Sequence, residues 1–145
     1  MNVTVSTELS ISAERAYELA QRTATVQHVL WPWFTATPAT IIPDTIVEGA
    51  HISLDLRLLG LVPMWRHDIY IRRFMPEEIV SHEHGGPVTT WNHRLTFVPT
   101  SPRTCRYTDT VEIRAGFLTP IAALVAALMY RYRQARWRAL ARVLA

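Results

Sequence analysis

Apolar and polar residues alternate from Val3 to Ile11, which is the period of a half-buried β-strand. The next residue, Ser12, is a good helix N-cap, and the apolar residues that follow it recur at helical spacing. This change of period predicts a helix over residues 13–21. Thr25 is expected to cap a second, shorter helix, which Pro32 prevents from continuing in regular form.

The middle of the chain, residues 37–113, has the pattern of strands separated by turn residues. Proline and glycine recur through it, and the clearest turn is the run Gly85, Gly86 and Pro87. Six strands fit between these turns. The clearest of them cover residues 52–59, 65–74, 78–84, 88–98 and 103–113. Their hairpin-length connections predict an antiparallel meander.

The last segment has the spacing of one long helix that begins at Thr119 or Pro120. Apolar residues recur there at every third or fourth position, which predicts a face packed on the sheet. The residues of that face are Ile121, Val125, Leu128, Tyr132, Ala139 and Val143. A flanking stripe of Arg131, Arg138 and Arg142 is expected to be solvated. The uncharged stretch 115–130 is shorter than the roughly 20 residues that cross a bilayer, so a core helix is the better interpretation.

This order of elements predicts an α+β fold of the helix-grip type. A seven-stranded curved antiparallel sheet would wrap around the long C-terminal helix, with two short helices after the first strand. The chain has 145 residues, of which 49% are hydrophobic, and this composition is typical of one globular core. We therefore expect residues 1–145 to form a single domain with a cavity between sheet and helix.

Charge and cysteine content exclude several classes of function. All fifteen basic residues are arginine, and with twelve carboxylates they give a net charge of only +3. The arginines are scattered along the chain until the last helix, so the charge does not indicate a nucleic-acid partner. The one cysteine, Cys105, cannot form an internal disulfide, and it is expected in a polar hairpin without a base to activate it. The N-terminus lacks the features of a signal peptide, which predicts a cytoplasmic protein.

Four ionisable side chains fall on strand faces that are otherwise apolar and inward: His67, Glu83, His93 and Asp109. Burying such groups without partners costs several kcal/mol, so we expect them to pair with one another or to contact a polar group of a ligand. Three interpretations follow. In the first, the groups form a structural pair; in the second, they orient the polar end of a ligand; in the third, His93 with Glu83 or Asp109 acts as a general acid and base.

No metal or cofactor site is expected. His51, His82 and His84, together with the inward His67 and His93, are possible metal ligands. The sequence contains neither an HExxH motif nor paired cysteines, so a metal site is not expected. The Gly85 and Gly86 pair lacks the surrounding residues of a phosphate-binding loop and is interpreted as a turn.

A series of short motifs resembles the START-like superfamily, often called SRPBCC, and within it the bacterial polyketide cyclase/dehydrase-like group. In order, the motifs are Leu56-Arg57-Leu58-Leu59-Gly60, Pro63-Met64-Trp65-Arg66, Pro76, Gly86-Pro87, Trp91-Asn92-His93 and Asp109-Thr110-Val111-Glu112. The resemblance covers essentially the whole chain. It implies an elongated apolar cavity between sheet and C-terminal helix, of the kind that binds lipids, polyketides, hormones or other hydrophobic molecules.

We therefore expect the protein to bind a small or medium hydrophobic molecule. The expected ligand-binding residues are Trp65, His67, Ile69, Glu83, Trp91, His93, Leu95, Phe97, Asp109, Val111 and Leu128. One alternative is a cyclase or dehydratase that uses His93 with Glu83 or Asp109. The other is a membrane-associated lipid or quinone carrier that docks on anionic lipid through the start of the last helix and its arginines.

Overall fold

The computed structural model describes residues 1–38 and 42–145. Within these ranges seven strands form one curled antiparallel sheet in the order β1-β7-β6-β5-β4-β3-β2. The strands are β1 (Asn2–Leu9), β2 (Phe34–Pro38), β3 (His51–Leu58), β4 (Val62–Met75), β5 (Glu78–Gly85), β6 (Val88–Ser101) and β7 (Thr104–Arg114). The helices are α1 (Ala13–Ala20), α2 (Thr23–Leu30) and the long α3 (Thr119–Leu144). The predicted helix-grip architecture is confirmed.

Helix α3 packs against the β1 and β7 side of the sheet. Its second half carries the large core residue Trp137, whose ring lies 5.5 Å from that of Tyr107 and 6.2 Å from that of Phe97. The side-chain amide of Gln134 donates a hydrogen bond of 2.7 Å to the carbonyl of Val5 on β1. These contacts fix the second half of α3 to the sheet. Among the described residues, no helix combines the length and the hydropathy that a membrane span needs.

The predicted inner face of α3 is wrong, apart from Tyr132, which is partly buried. Ile121, Val125, Leu128 and Val143 expose 62%, 46%, 58% and 82% of their surface, and Ala139 is exposed too. The buried face consists of Ala123, Ala126, Tyr130, Arg133, Gln134, Trp137 and Ala141. Small alanines allow the helix backbone to approach the sheet closely, so the bulkier apolar series is turned away from β1 and β7.

The two short helices follow the predicted order with one correction. The hydroxyl of Ser12 caps α1 by accepting a hydrogen bond of 3.2 Å from the backbone N–H of Arg15. Thr25 does not cap α2, because it lies buried inside that helix. Helix α2 begins two residues earlier, at Thr23, where the N–H and the hydroxyl bond to the carbonyls of Asp44 and Pro43.

Two side chains are more buried than the sequence indicated. Cys105 lies in the core rather than in a polar hairpin, and burial raises the pKa of its thiol to about 11. Arg138 is only half-exposed, since its guanidinium donates a hydrogen bond of 3.0 Å to the hydroxyl of Thr7 on β1.

Candidate functional site

The concave face of the sheet carries a group of polar side chains on the neighbouring strands β4, β5, β6 and β7. Antiparallel pairing places Ser81 opposite His93, and it places Glu83 between Ile69 and Trp91. Directly paired residues point to the same face of a sheet, so these side chains are brought together. The alternation read from the sequence correctly identified this face.

His67 and Glu83 form one of two buried histidine–carboxylate pairs. The Nε2 atom of His67 lies 2.9 Å from the carboxylate of Glu83, and the two side chains are only 11% and 12% exposed. The indole N–H of Trp65 donates to Nδ1 of His67 at 3.5 Å, so Nδ1 is unprotonated and Nε2 carries the proton given to Glu83. This arrangement orients the imidazole of His67 toward the carboxylate of Glu83.

The pKa of Glu83 is set by opposing effects. Burial alone would raise it, but the hydrogen bonds from His67 and Ser81, together with the nearby His93, outweigh burial and lower the pKa. Glu83 is therefore an ionised carboxylate inside the fold.

Trp65 is positioned by the glycine turn between β5 and β6. A Cβ atom on Gly86 would lie 2.6 Å from the Trp65 ring, and one on Gly85 would lie 2.7 Å from it. Gly86 also adopts a φ of 51°, a conformation that residues with a side chain rarely take. The turn thus lets the indole pack on bare backbone, which aims its N–H at His67.

His93 and Asp109 form the second pair. The Nε2 atom of His93 lies 2.8 Å from Oδ1 of Asp109, and the hydroxyl of Tyr107 donates to the same oxygen at 2.8 Å. Gln134 donates to Oδ2 at 3.0 Å. Burial would raise the pKa of Asp109, but the charge of Arg133 and these hydrogen bonds lower it. Within the described residues, Nδ1 of His93 makes no hydrogen bond.

Arg133 is the buried cation beside these pairs. It is 8% exposed, and in the described part of the chain it forms neither a salt bridge nor a hydrogen bond, with Nε fully enclosed and unpaired. Its guanidinium lies 5.9 Å from the ring centre of Tyr130, whose hydroxyl accepts a hydrogen bond of 3.0 Å from Trp91. Burial disfavours its charge, but the acidic groups of Tyr107, Asp109 and Glu83 nearby raise its pKa.

Sequence reasoning missed Arg133 because it selected the most hydrophobic helical face. A usable signal exists in the sequence, since Tyr130, Arg133, Trp137 and Ala141 also recur at helical spacing.

An open apolar pocket of about 420 Å³ lies between the first half of α3 and the β2 and β3 strands. Its lining residues are Trp33, Phe34, Leu58, Val125, Leu128, Met129 and Tyr132. The ring of Trp33 meets that of Tyr132 edge to face at 6.2 Å. Leu128, predicted to contact a ligand, lines this pocket rather than the core.

The remaining predicted ligand contacts lie in two environments. Leu95, Phe97 and Val111 are fully packed in the hydrophobic core. Trp65, Ile69 and Trp91 are partly buried on the concave face, near the polar pairs. Contact of any of these residues with a ligand stays a prediction.

The other histidines do not join this site. His51 lies 3.1 Å from Asp68 and stacks on Tyr70, and its strand position places it on the opposite face of the sheet from His67. Residues 1–38 and 42–145 contain no group of three or more histidine, cysteine, aspartate or glutamate side chains arranged to hold a metal ion.

Solved structures with this architecture share little sequence with the chain. A protein from Chromobacterium violaceum aligns with a TM-score of 0.78 at 13% identity, over 97% of this chain and 96% of that one. A START superfamily protein from Mycobacterium smegmatis aligns with a TM-score of 0.75 at 15% identity, over 99% of both chains. A truncated norcoclaurine synthase from Thalictrum flavum gives 0.61 at 13% identity, over 89% and 91%. These likenesses confirm the START-like fold.

Sequence comparison adds the family. No curated protein matches this sequence closely enough to show a relationship. A family model described as "Domain of unknown function (DUF8410)" matches residues 7–143. Because that match spans nearly the whole sequence, the chain belongs to the DUF8410 family.

Proposed function

We propose that this protein binds a small or medium hydrophobic molecule between α3 and the sheet, with the polar end of the molecule against the buried polar network. One observation carries the proposal. The apolar pocket and the polar network share the same helix, because Met129 lines the pocket and Arg133 follows it by one turn.

The pocket has the size and chemistry for such a ligand. Its volume of about 420 Å³ lies within the range of small-molecule sites, and its lining is almost entirely apolar. Val125 and Leu128 expose about half of their surface there. A bound apolar molecule would cover these side chains, and removing apolar surface from water favours binding. The START-like fold supports the same function.

A matched pair of variants tests the pocket directly. Neutral N-phenyl-naphthylamine should bind the native protein saturably, with an increase in its fluorescence. Val125→Arg places a charge on the pocket wall and should weaken this binding by about tenfold or more, since a buried unpaired charge is costly. Leu124→Arg is the control, because Leu124 is exposed on the same helix and does not line the pocket. Absence of saturable binding to the native protein would refute the proposal.

A second candidate is a carrier that collects its ligand at an anionic membrane surface. Exposed apolar residues continue beyond the pocket at Trp31, Ile121 and Leu124, with exposures of 59%, 62% and 62%. Residues 115–145 contain no acidic residue, and four of their five arginines, all but the buried Arg133, are at least partly exposed. An apolar surface flanked by cations is suited to the interface of an anionic bilayer.

Vesicle sedimentation separates this carrier from a binding protein that works in solution. The carrier should sediment with vesicles of phosphatidylglycerol but not with phosphatidylcholine, and added salt should release it. Leu124→Arg should reduce this sedimentation while leaving probe binding intact. Equal behaviour with both lipids would exclude the electrostatic docking on which the carrier depends.

A further inference from the structure

From the buried and unpaired Arg133, we infer that the ligand carries a neutral acceptor oxygen, such as a ketone carbonyl, which receives hydrogen bonds from this guanidinium. The inference rests on the proposed function and names the class of ligand for the same site. It commits to a carbonyl compound rather than to a carboxylate.

Arg133 has an unfilled hydrogen-bonding capacity. A guanidinium offers five N–H donors, and buried donors are nearly always satisfied in folded proteins. At 8% exposure Arg133 has no acceptor among the described residues, and its guanidinium lies 5.9 Å from the ring centre of Tyr130. Its helix position places it on the concave side, with the polar pairs. An oxygen atom from a ligand would supply an acceptor for the terminal nitrogens of the guanidinium, which, unlike Nε, are not fully enclosed.

The charges around Arg133 decide between a neutral and an anionic acceptor. Glu83 and Asp109 are both ionised, since the pKa of each is lowered. The guanidinium of Arg133 is the buried cation beside these two carboxylates. The buried carboxylates therefore already outnumber the buried guanidinium by two to one. A carboxylate would add a third negative charge to a buried site, whereas a carbonyl adds none.

The geometry also orients the ligand. Leu128 and Met129 line the apolar pocket, and Arg133 lies on the turn that follows, on the same side of α3 as Met129. A ligand with its carbonyl at Arg133 would extend its hydrocarbon part along the helix toward Val125. The polar end would thus be buried, and the apolar end would lie near the open mouth of the pocket.

Three ligands of equal chain length test the inference on the native protein. Methyl octyl ketone, decane and decanoate are compared by displacement of N-phenyl-naphthylamine. The ketone should bind more tightly than decane by about tenfold or more, because a hydrogen bond to a charged group is among the stronger ones. It should also bind more tightly than decanoate. The carbonyl stretching band of bound, isotope-labelled ketone should lie at lower frequency than in an apolar solvent.

Two variants locate the effect. Arg133→Met keeps an unbranched side chain but removes the donors, so it should abolish the preference for ketone over decane and the shift of the carbonyl band. Arg131→Met is the matched control, since Arg131 is an exposed arginine two residues away. The infrared measurement on native protein keeps the test decisive if Arg133→Met does not fold.

The outcomes distinguish this inference from the proposed function. Displacement by all three ligands with equal affinity, and an unshifted carbonyl band, would overturn the inference and leave hydrophobic binding intact. Tighter binding of decanoate would show that Arg133 takes an anion and would overturn the charge argument. If neither the probe nor any of the three ligands binds, the proposed function itself fails.

Discussion

Gln134, on the buried face of α3, donates a hydrogen bond of 3.0 Å to the carboxylate of Asp109 on β7. The same amide nitrogen donates to the carbonyl of Val5 on β1. One side chain therefore joins the helix to two strands and satisfies the oxygen of Asp109 that the other donors leave free. Gln134 is therefore one of three side chains, with His93 and Tyr107, that donate to the carboxylate of Asp109.

Replacement of Gln134 should destabilise the protein. Gln134→Leu removes both hydrogen bonds and leaves a buried carboxylate oxygen without a donor, which should lower the free energy of unfolding by about 1–3 kcal/mol. Arg131→Leu, on the exposed face of α3, should change it by less than about 0.5 kcal/mol. Urea denaturation measures both values. Equal values for the two variants would contradict a role for the amide.

Acid should weaken the fold through its buried carboxylates. The folded-state pKa of Glu83 is lowered from the ordinary value of 4.5, so the unfolded chain takes up the proton more readily. The stabilisation is complete above that value and is lost as the pH falls through the lowered pKa. Glu83→Gln should cost about 1.5–3 kcal/mol near neutral pH but should flatten the loss of stability in acid. Denaturation curves at neutral and acidic pH test this, and an unchanged acid slope would contradict it.

Changes of side-chain size should affect the free energy of unfolding on the buried face of α3 but not on its exposed face. Leu128→Ala should change the free energy of unfolding by less than about 0.5 kcal/mol, because Leu128 is mostly exposed, yet it should weaken probe binding. Ala126→Leu should destabilise by about 1–3 kcal/mol, since Ala126 is fully buried against the sheet. A large loss from Leu128→Ala would instead place that residue in the core.

The Trp65 contact makes Gly86 a sensitive position. Gly86→Ala requires both an unfavourable φ and a displacement of the indole, whereas Gly116→Ala, at a φ of 56° with nothing within 4 Å, requires only the former. Gly86→Ala should therefore be the more destabilising by about 1 kcal/mol or more. It should also change the tryptophan fluorescence. Equal losses would show that the ring moves aside freely.

The sheet was predictable because its signals are local. Alternation and turn residues define each strand, and hairpin connections leave few ways to pair neighbouring strands. The same alternation placed His67, Glu83, His93 and Asp109 on one face, as the structure shows. It could not show that Glu83 pairs with His67 while Asp109 pairs with His93, because that choice depends on the register between strands.

The orientation of α3 was not predictable from hydrophobicity alone. The sequence offers two helical faces, one with larger apolar residues and one with alanines, Arg133 and Gln134. Close approach to the sheet and the hydrogen bonds of Gln134 favour the second. Both effects depend on the strands opposite the helix, so the spacing of residues within the helix cannot reveal them. Arg133 was missed for the same reason.

Helix α3 is attached to the sheet unevenly along its length, and this gives its two halves different freedom to move. Trp137 and Gln134 hold the second half, whereas the first half rests on the small side chains of Ala123 and Ala126. Separating alanines from a sheet exposes little apolar area, so backbone amides before Tyr130 should exchange with deuterium faster than those around Trp137. The pocket borders the half of the helix that we expect to exchange faster. We therefore expect the helical wall of the pocket to move more readily than the core around Trp137.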